Sequence, residues 1–479
     1  MKTHSVVAHS ILLAVGLAVW VSGCKEDEST APATQQPIDF GTANFSRYVA
    51  IGNSLTAGFQ SNALSGRDQA YSFPALLAEH VGTAFDQPLM LEPGVGNRQR
   101  LVSLTGPVLV SEASVFPGNP VPYVNTPPTQ PYHNLGVPGA VLADLEFTTD
   151  FATQAQPPRS NPFFLLVLRS SALGRNVIAQ ARALNPTFIT LDIGNNDVLG
   201  YATSGGLSGT DSTGRLPTEP SRFAFFYSRV LDSLKTGSVQ VVAANIPDVT
   251  SIPFFTTVGP QIRAGLPPGI YFRYQKSGNT SVAFDSTRFD TPDAPLITLL
   301  GSTYAAFLGQ PTGKWYRDRG ISTLPPGIDT TKPFGFHPQN PWPDALALDA
   351  GEQAIAGNAV TAFNASIASL CAARDIPVVD VNGVLKTINQ GGLYYQGYGT
   401  FSSSFIQGGV FSYDGVHPSS RGYVIFANEF IKVINASFNA HIPLIDIGAA
   451  PGIPIGKIGT GYPDYGSLDF MVNLMRGGR

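Results

Sequence analysis

From Arg47 onward, short apolar runs alternate with stretches of helical spacing. "RYVAIG" (47–52), "TFITLDIG" (187–194), "VQVVAANIP" (239–247) and "IPVVDV" (376–381) are apolar runs of strand length, suited to burial on both faces. Between and after them, "SFPALLAEHVG" (72–82), "SRFAFFYSRVLDSLK" (221–235), "GEQAIAGNAVTAFNASIASLCAARD" (351–375) and "SSRGYVIFANEFIKVINASF" (419–438) repeat apolar positions every three to four residues. Buried strands alternating with helices predict parallel βαβ units stacked as a three-layer α/β/α sandwich. In such sheets ligands bind beyond the carboxyl ends of the strands, where Ser54 and Asn196 fall.

Long interruptions break this alternation at about 84–130, 200–220 and 253–345. The last holds 13 of the chain's 39 prolines, together with Phe254, Phe255, Tyr271, Phe272, Tyr274, Trp315 and Tyr316. Loops this long in a compact domain are functional or disordered, and the aromatic content points to a packed lid or substrate wall. The predicted organisation is a domain over 44–440 carrying these three insertions, then a glycine-rich tail over 441–479.

The first residues follow a different pattern. Lys2 precedes an unbroken apolar or glycine run from Ile11 to Val21. Eleven helical residues rise only about 16 Å, against a hydrocarbon core of about 30 Å, so residues 1–24 predict a signal peptide, not a membrane span. The polar, proline-spaced segment 25–43 predicts a flexible tether.

Composition narrows the function. The 479 residues are 43% hydrophobic and 13% charged, with a net charge of −4. That allows a large core and offers no basic surface for nucleic acid. The two cysteines, Cys24 and Cys371, and the seven histidines form no cluster with metal-ligand spacing, so no metal or other cofactor is expected.

A serine becomes a nucleophile when a base takes its proton, a third group orients the base, and donors await the developing oxyanion. Ser54, in "YVAIGNSLTAGF", stands just past a buried strand. His417, in "SYDGVHPSSRGY", follows Asp414 by three residues, a spacing that lets the carboxylate reach Nδ1 while Nε2 faces outward. "DIGNNDV" (192–198) places Asn196 after another strand, and "NLGVPGA" (134–140) places Gly139 where a backbone N–H approaches a ligand unobstructed. Each feature also has a plain structural reading: a helix cap, an Asx turn, a glycine turn, an exposed turn with Asp as its cap. No GxSxG elbow or phosphate loop competes, because Thr56 replaces the second glycine of the elbow and "GQPTGKW" has the wrong spacing.

Taken together and in order, Gly-Asn-Ser-Leu, NxGxxG, GxND and DxxH resemble the four sequence blocks of the SGNH (GDSL-type) hydrolase family, over roughly 47–437 outside the insertions. The resemblance implies a flavodoxin-like α/β/α sandwich and hydrolysis of carboxylic esters, whether lipid, short-chain acyl or acetylated-sugar esters. It implies Ser54 as nucleophile, His417 as general base, Asp414 as its orienting acid, and an oxyanion hole from the Ser54 and Gly139 N–H groups and the Asn196 side chain. Asn53 departs from the family's usual Asp. The alternative is a non-catalytic surface binding lipoprotein on the same fold. "VSGC" (21–24) also resembles the bacterial lipobox, which implies lipidation at Cys24. That implies an extracytoplasmic protein anchored to a membrane, at the outer membrane or cell surface of a Gram-negative bacterium.

Overall fold

The computed structural model describes residues 37–103, 108–114, 122–124, 128–147, 154–155, 158–159, 161–267, 269–276 and 280–452. The chain divides into two units, 1–38 and 39–479, and the fold belongs to the second. Cys24 and the proposed signal segment lie outside the described residues, as do most of the tether and the tail beyond Gly452.

Five parallel strands form the central sheet: β1 (Tyr48–Gly52), β2 (Asn134–Gly136), β3 (Phe188–Asp192), β4 (Gln240–Ala244) and β5 (Val378–Val379). Their spatial order is β2-β1-β3-β4-β5, the doubly wound order of flavodoxin-like folds. β1 is buried at every residue, so helices must cover both faces. The helices that do so are α1 (Ser54–Ala57), α2 (Phe73–Val81), α3 (Phe163–Leu168), α4 (Val177–Ala183), α5 (Asn196–Thr203), α6 (Pro220–Leu234), α7 (Ala350–Ala372), α8 (Val381–Gln390) and α9 (Ser420–Phe438). α2 packs on α9 through the stacked rings of Phe73 and Phe430, 4.7 Å apart, and α6 packs on α7 through Phe223 and Phe363, 4.1 Å apart.

Local chemistry accounts for the boundaries. Ser72 caps α2 by accepting from Ala75 N, and Gly82, at φ +72°, ends it in the left-handed conformation. Asp349 and Glu352 form a capping box at the start of α7. One expected strand is shorter than its apolar run: Asp380 accepts from Gly383 N and opens α8, leaving only Val378–Val379 in the sheet. Among the described residues α7 alone has the length and apolar composition to cross a bilayer, yet here it is a layer of the sandwich.

The insertion 253–345 is folded. Its hairpin, Tyr271–Lys276 with Thr280–Asp285, sits over a core in which Trp342 is fully buried among Phe272 and Phe334. The insertion also reaches the loop before α9, where Phe254 N donates to Gly415 O at 2.9 Å.

Candidate active site

Ser54 is the first residue of α1, immediately beyond the carboxyl end of β1. Asn53 holds the turn: its Oδ1 accepts from Leu55 N at 3.0 Å, while its buried Nδ2 has no partner. The cap needs only an acceptor oxygen at position 53, which Asn and Asp both supply.

The loop before α9 brings Asp414 and His417 to the same place. Ser54 Oγ and His417 Nε2 are 2.9 Å apart, and His417 Nδ1 and Asp414 Oδ2 are 2.9 Å apart. The three residues are all buried, with Ser54 4% exposed. The Phe59 ring lies 4.8 Å from the imidazole, and the Tyr423 hydroxyl of α9 donates to Phe59 O at 2.8 Å.

Asp414 is held by a dense set of donors. Its Oδ2 also accepts from Asn62 N at 2.9 Å, and its Oδ1 accepts from Val416 N and His417 N at 2.9 Å and from Ser412 Oγ at 3.2 Å. Burial alone would raise this carboxyl, but the adjacent imidazole and the donors from His417 and Val416 hold it below the ordinary carboxylate value. It is therefore ionised, and it fixes the imidazole with a proton on Nδ1 and a lone pair on Nε2 facing the serine.

Two of the donors are reached through unusual backbone. Ser61 and Asn62 stand at φ +51° and +66°, a region that side-chain-bearing residues seldom enter. That pair of conformations turns the Asn62 N–H onto Asp414 and lets Ser61 N donate to Ser412 Oγ at 2.9 Å.

The other expected residues assemble around β2 and β3. Asn134 donates to Thr56 O at 2.9 Å and accepts from Gly136 N at 3.0 Å, tying β2 to α1. A Cβ on Gly136 would stand 2.4 Å from Ala57 N, so only glycine fits there. Ala140 N donates to Val137 O across a turn with Pro138 and Gly139 at its centre, and Gly139 has φ +77°, which a type II turn requires at that position. Asn196 opens α5 and donates to Ala140 O at 2.9 Å, which couples it to the Gly139 turn and leaves its amide a second N–H. Asp197 was no candidate in the sequence, yet its Oδ2 accepts from Leu142 N at 2.8 Å and its Oδ1 from Thr218 Oγ1 at 2.8 Å. It thus ties the Gly139 loop to the 200–220 insertion. Its place in GxND was the only signal.

Asp192, at the end of β3 and in register with Gly52, is buried, and its Oδ2 has no partner. Burial pushes its carboxyl up to about 7.

The remaining described histidines are engaged elsewhere: His80 with Pro443 O, His133 with Asp86 N and His441 with Asp39, while His337 Nδ1 accepts from Gln339 N. Cys371 is buried, and its thiol is pushed up to about 11 by that burial, which makes it inert. No group of three or more His, Cys, Asp or Glu among the described residues has the geometry of a metal site. Aligned in this way, a serine hydroxyl, an imidazole and a carboxylate form a relay able to move a proton off the serine.

A model of the GDSL-like lipase/acylhydrolase family matches residues 48–430, a span that includes Ser54, Gly139, Asn196, Asp414 and His417. No curated protein matches the chain, and no solved structure does.

Proposed function

Because the chain belongs to the GDSL-like lipase/acylhydrolase family, we propose that it hydrolyses carboxylic esters through an acyl-enzyme on Ser54. The observation that carries this reading is the continuous Ser54–His417–Asp414 contact, 2.9 Å at each step. In the proposed first step Ser54 Oγ attacks the ester carbonyl while His417 Nε2 takes its proton. Asp414 stays ionised and stabilises the imidazolium that forms. The oxyanion would sit against the Ser54 and Gly139 N–H groups and the second N–H of the Asn196 amide. His417 then gives its proton to the leaving alcohol, and water enters by the same route in reverse to release the acid.

The test is turnover of p-nitrophenyl esters from acetate to laurate by the full chain and by Ser54→Ala. Wild type is expected to hydrolyse at least one ester and to take up a fluorophosphonate, and Ser54→Ala to do neither. The chain-length profile then separates short-chain acyl from lipid esters. Equal turnover by the two proteins would remove Ser54 from the mechanism.

We further propose that the protein is extracytoplasmic and held to a membrane through lipid on Cys24, supported by the signal-like segment and "VSGC". Intact-mass measurement of protein from a Gram-negative host should show a diacylglyceryl-modified N-terminus at Cys24 that Cys24→Ser lacks. An unmodified wild-type N-terminus would refute the anchor.

A further inference from the structure

The turn that presents Gly139 runs from Val137 to Ala140 and is closed by Ala140 N, which donates to Val137 O at 3.0 Å. Its central peptide joins Pro138 to Gly139. In a trans peptide the C=O and N–H point in opposite directions, so the plane of this one peptide decides where the Gly139 N–H is aimed. Type I and type II turns share the closing hydrogen bond and differ mainly by a half-turn of that plane. Gly139 would have φ of about −90° in type I; it has +77° here. The flip would carry the Gly139 N–H away from the oxyanion and put the Pro138 carbonyl oxygen in its place.

The bonds that flank the turn do not choose between the two forms. Val137 N donates to Gly52 O at 3.0 Å, and Asn196 donates to Ala140 O at 2.9 Å. Val141 N donates to Asp144 Oδ2 at 3.0 Å, and Leu142 N to Asp197 Oδ2 at 2.8 Å. All of these hold peptides to either side of the central one. Proline at the second position and glycine at the third favour type II, but both residues are also compatible with type I.

Asn161 acts on the central peptide itself. Its Nδ2 donates to Pro138 O at 2.9 Å, and its Oδ1 accepts at 3.0 Å from the N–H of Phe163, the first residue of α3. A carbonyl on one side and a backbone N–H on the other settle which end of the amide carries the nitrogen. The side chain is 4% exposed, so this grip is shielded from competing water. On the opposite edge of the same peptide, the buried Gly139 N–H donates to no protein group among the described residues. A buried backbone N–H seldom goes unpaired, and an arriving oxyanion supplies the missing acceptor.

We infer that Asn161 is a positioning residue for the oxyanion hole: it holds the Pro138–Gly139 peptide in its type II plane and so keeps the Gly139 N–H aimed at the reacting carbonyl. The inference rests on the ester-hydrolysis reading, since it concerns a donor to that reaction's oxyanion.

The experiment measures kcat and KM of the full chain, as wild type, Asn161→Asp and Asn161→Ser, on the p-nitrophenyl ester that wild type hydrolyses fastest. Asn161→Asp keeps the acceptor for Phe163 N and replaces the donor by an oxygen that repels Pro138 O. At pH 8, where the new carboxyl is ionised, kcat is expected to fall at least tenfold, toward the loss of about 10²–10³ that removing a whole oxyanion donor causes. Asn161→Ser stays neutral and keeps a capping oxygen, but is too short to hold both partners. Its kcat should fall about fivefold, the worth of one hydrogen bond. In both variants KM should stay close to the wild-type value, because the oxyanion forms only after the substrate is bound. A loss carried by KM, or a kcat unchanged in both variants, would overturn the inference and leave hydrolysis by Ser54 standing. A wild type that hydrolyses no ester would sink the hydrolase reading and this inference with it. Should Asn161→Asp misfold, Asn161→Ser decides by the same split between kcat and KM.

Discussion

Asp414 is the residue on which the site's electrostatics turn. Five donors converge on its two oxygens, so an amide at this position would set an N–H against at least one of them. Asp414→Asn is expected to lower kcat on a p-nitrophenyl ester by about 10³–10⁴, because the imidazole loses its orienting anion. The same carboxyl carries a pH dependence. Its folded-state pKa lies below the unfolded value, so its stabilisation is present above about pH 4 and is lost as pH falls through the folded pKa. Thermal melts should therefore show wild type losing its advantage over Asp414→Asn on acidification below pH 4; a constant difference from pH 7 to pH 3 would contradict this. Asn53→Asp, by contrast, keeps the acceptor for Leu55 N and should change activity less than Ser54→Ala. Ser54, His417, Asp414, Asn196 and Gly139 were all legible as candidates because each stands in a short motif beside a strand or helix end. Asn62 was not. Its contribution is a backbone N–H aimed by two positive φ values, a conformation that Asn enters more often than most residues but that neither Ser61 nor Asn62 announces in the sequence.

At the scale of elements, apolar periodicity located β1, β3, β4, α2, α6, α7 and α9 within three residues of their observed limits. It failed at Val381–Gln390, where the strand pattern of "IPVVDV" ran into a helix that Asp380 caps. A two-residue strand and a following helix share the same apolar residues, and only the cap tells them apart. It also left α3 and α4 unread, between the Gly139 loop and β3. The start of α7 carries an unusual concentration of acid: Asp349 and Glu352 in the capping box, Asp344 next to them, and Lys276 reaching Asp349 at 2.8 Å from the insertion's hairpin. Burial and then repulsion from Asp349 push Asp344 up to about 7, and burial foremost pushes Glu352 up to about 7. Groups raised in the folded state favour folding most below their unfolded pKa, near 4, and that contribution fades as pH rises toward 7. Asp344→Asn removes one of these carboxyls. Its melting temperature relative to wild type should rise between pH 5 and pH 8, by about 1–3 °C. A pH-independent difference would show that Asp344 is ionised throughout.

For the molecule as a whole, the alternation of strands and helices was enough to predict the layers and the family resemblance implied a flavodoxin-like sandwich, while the order β2-β1-β3-β4-β5 is seen in the strand pairing. The insertions were visible as interruptions rich in proline and aromatics. Their internal structure was not, because it rests on contacts such as Trp342 with Phe272 and Phe334, drawn from positions about 60 to 70 residues apart or joined around a turn. The hydrogen bond from Phe254 N to Gly415 O bears on how small a working version of this protein can be made. Replacing 253–345 with a short flexible linker would keep Ser54, Asp414 and His417, and a sequence comparison would score the product as intact. It would nevertheless strip Gly415 of its donor, remove the Phe254 and Leu299 atoms that wall that glycine, and take Lys276 from the head of α7. Ester turnover in such a miniature should fall at least tenfold along with its melting temperature, and turnover at the wild-type level would mean the loop stands unaided. The insertion is then better regarded as one wall of the mould that casts the loop before α9 than as an ornament added to a finished catalyst.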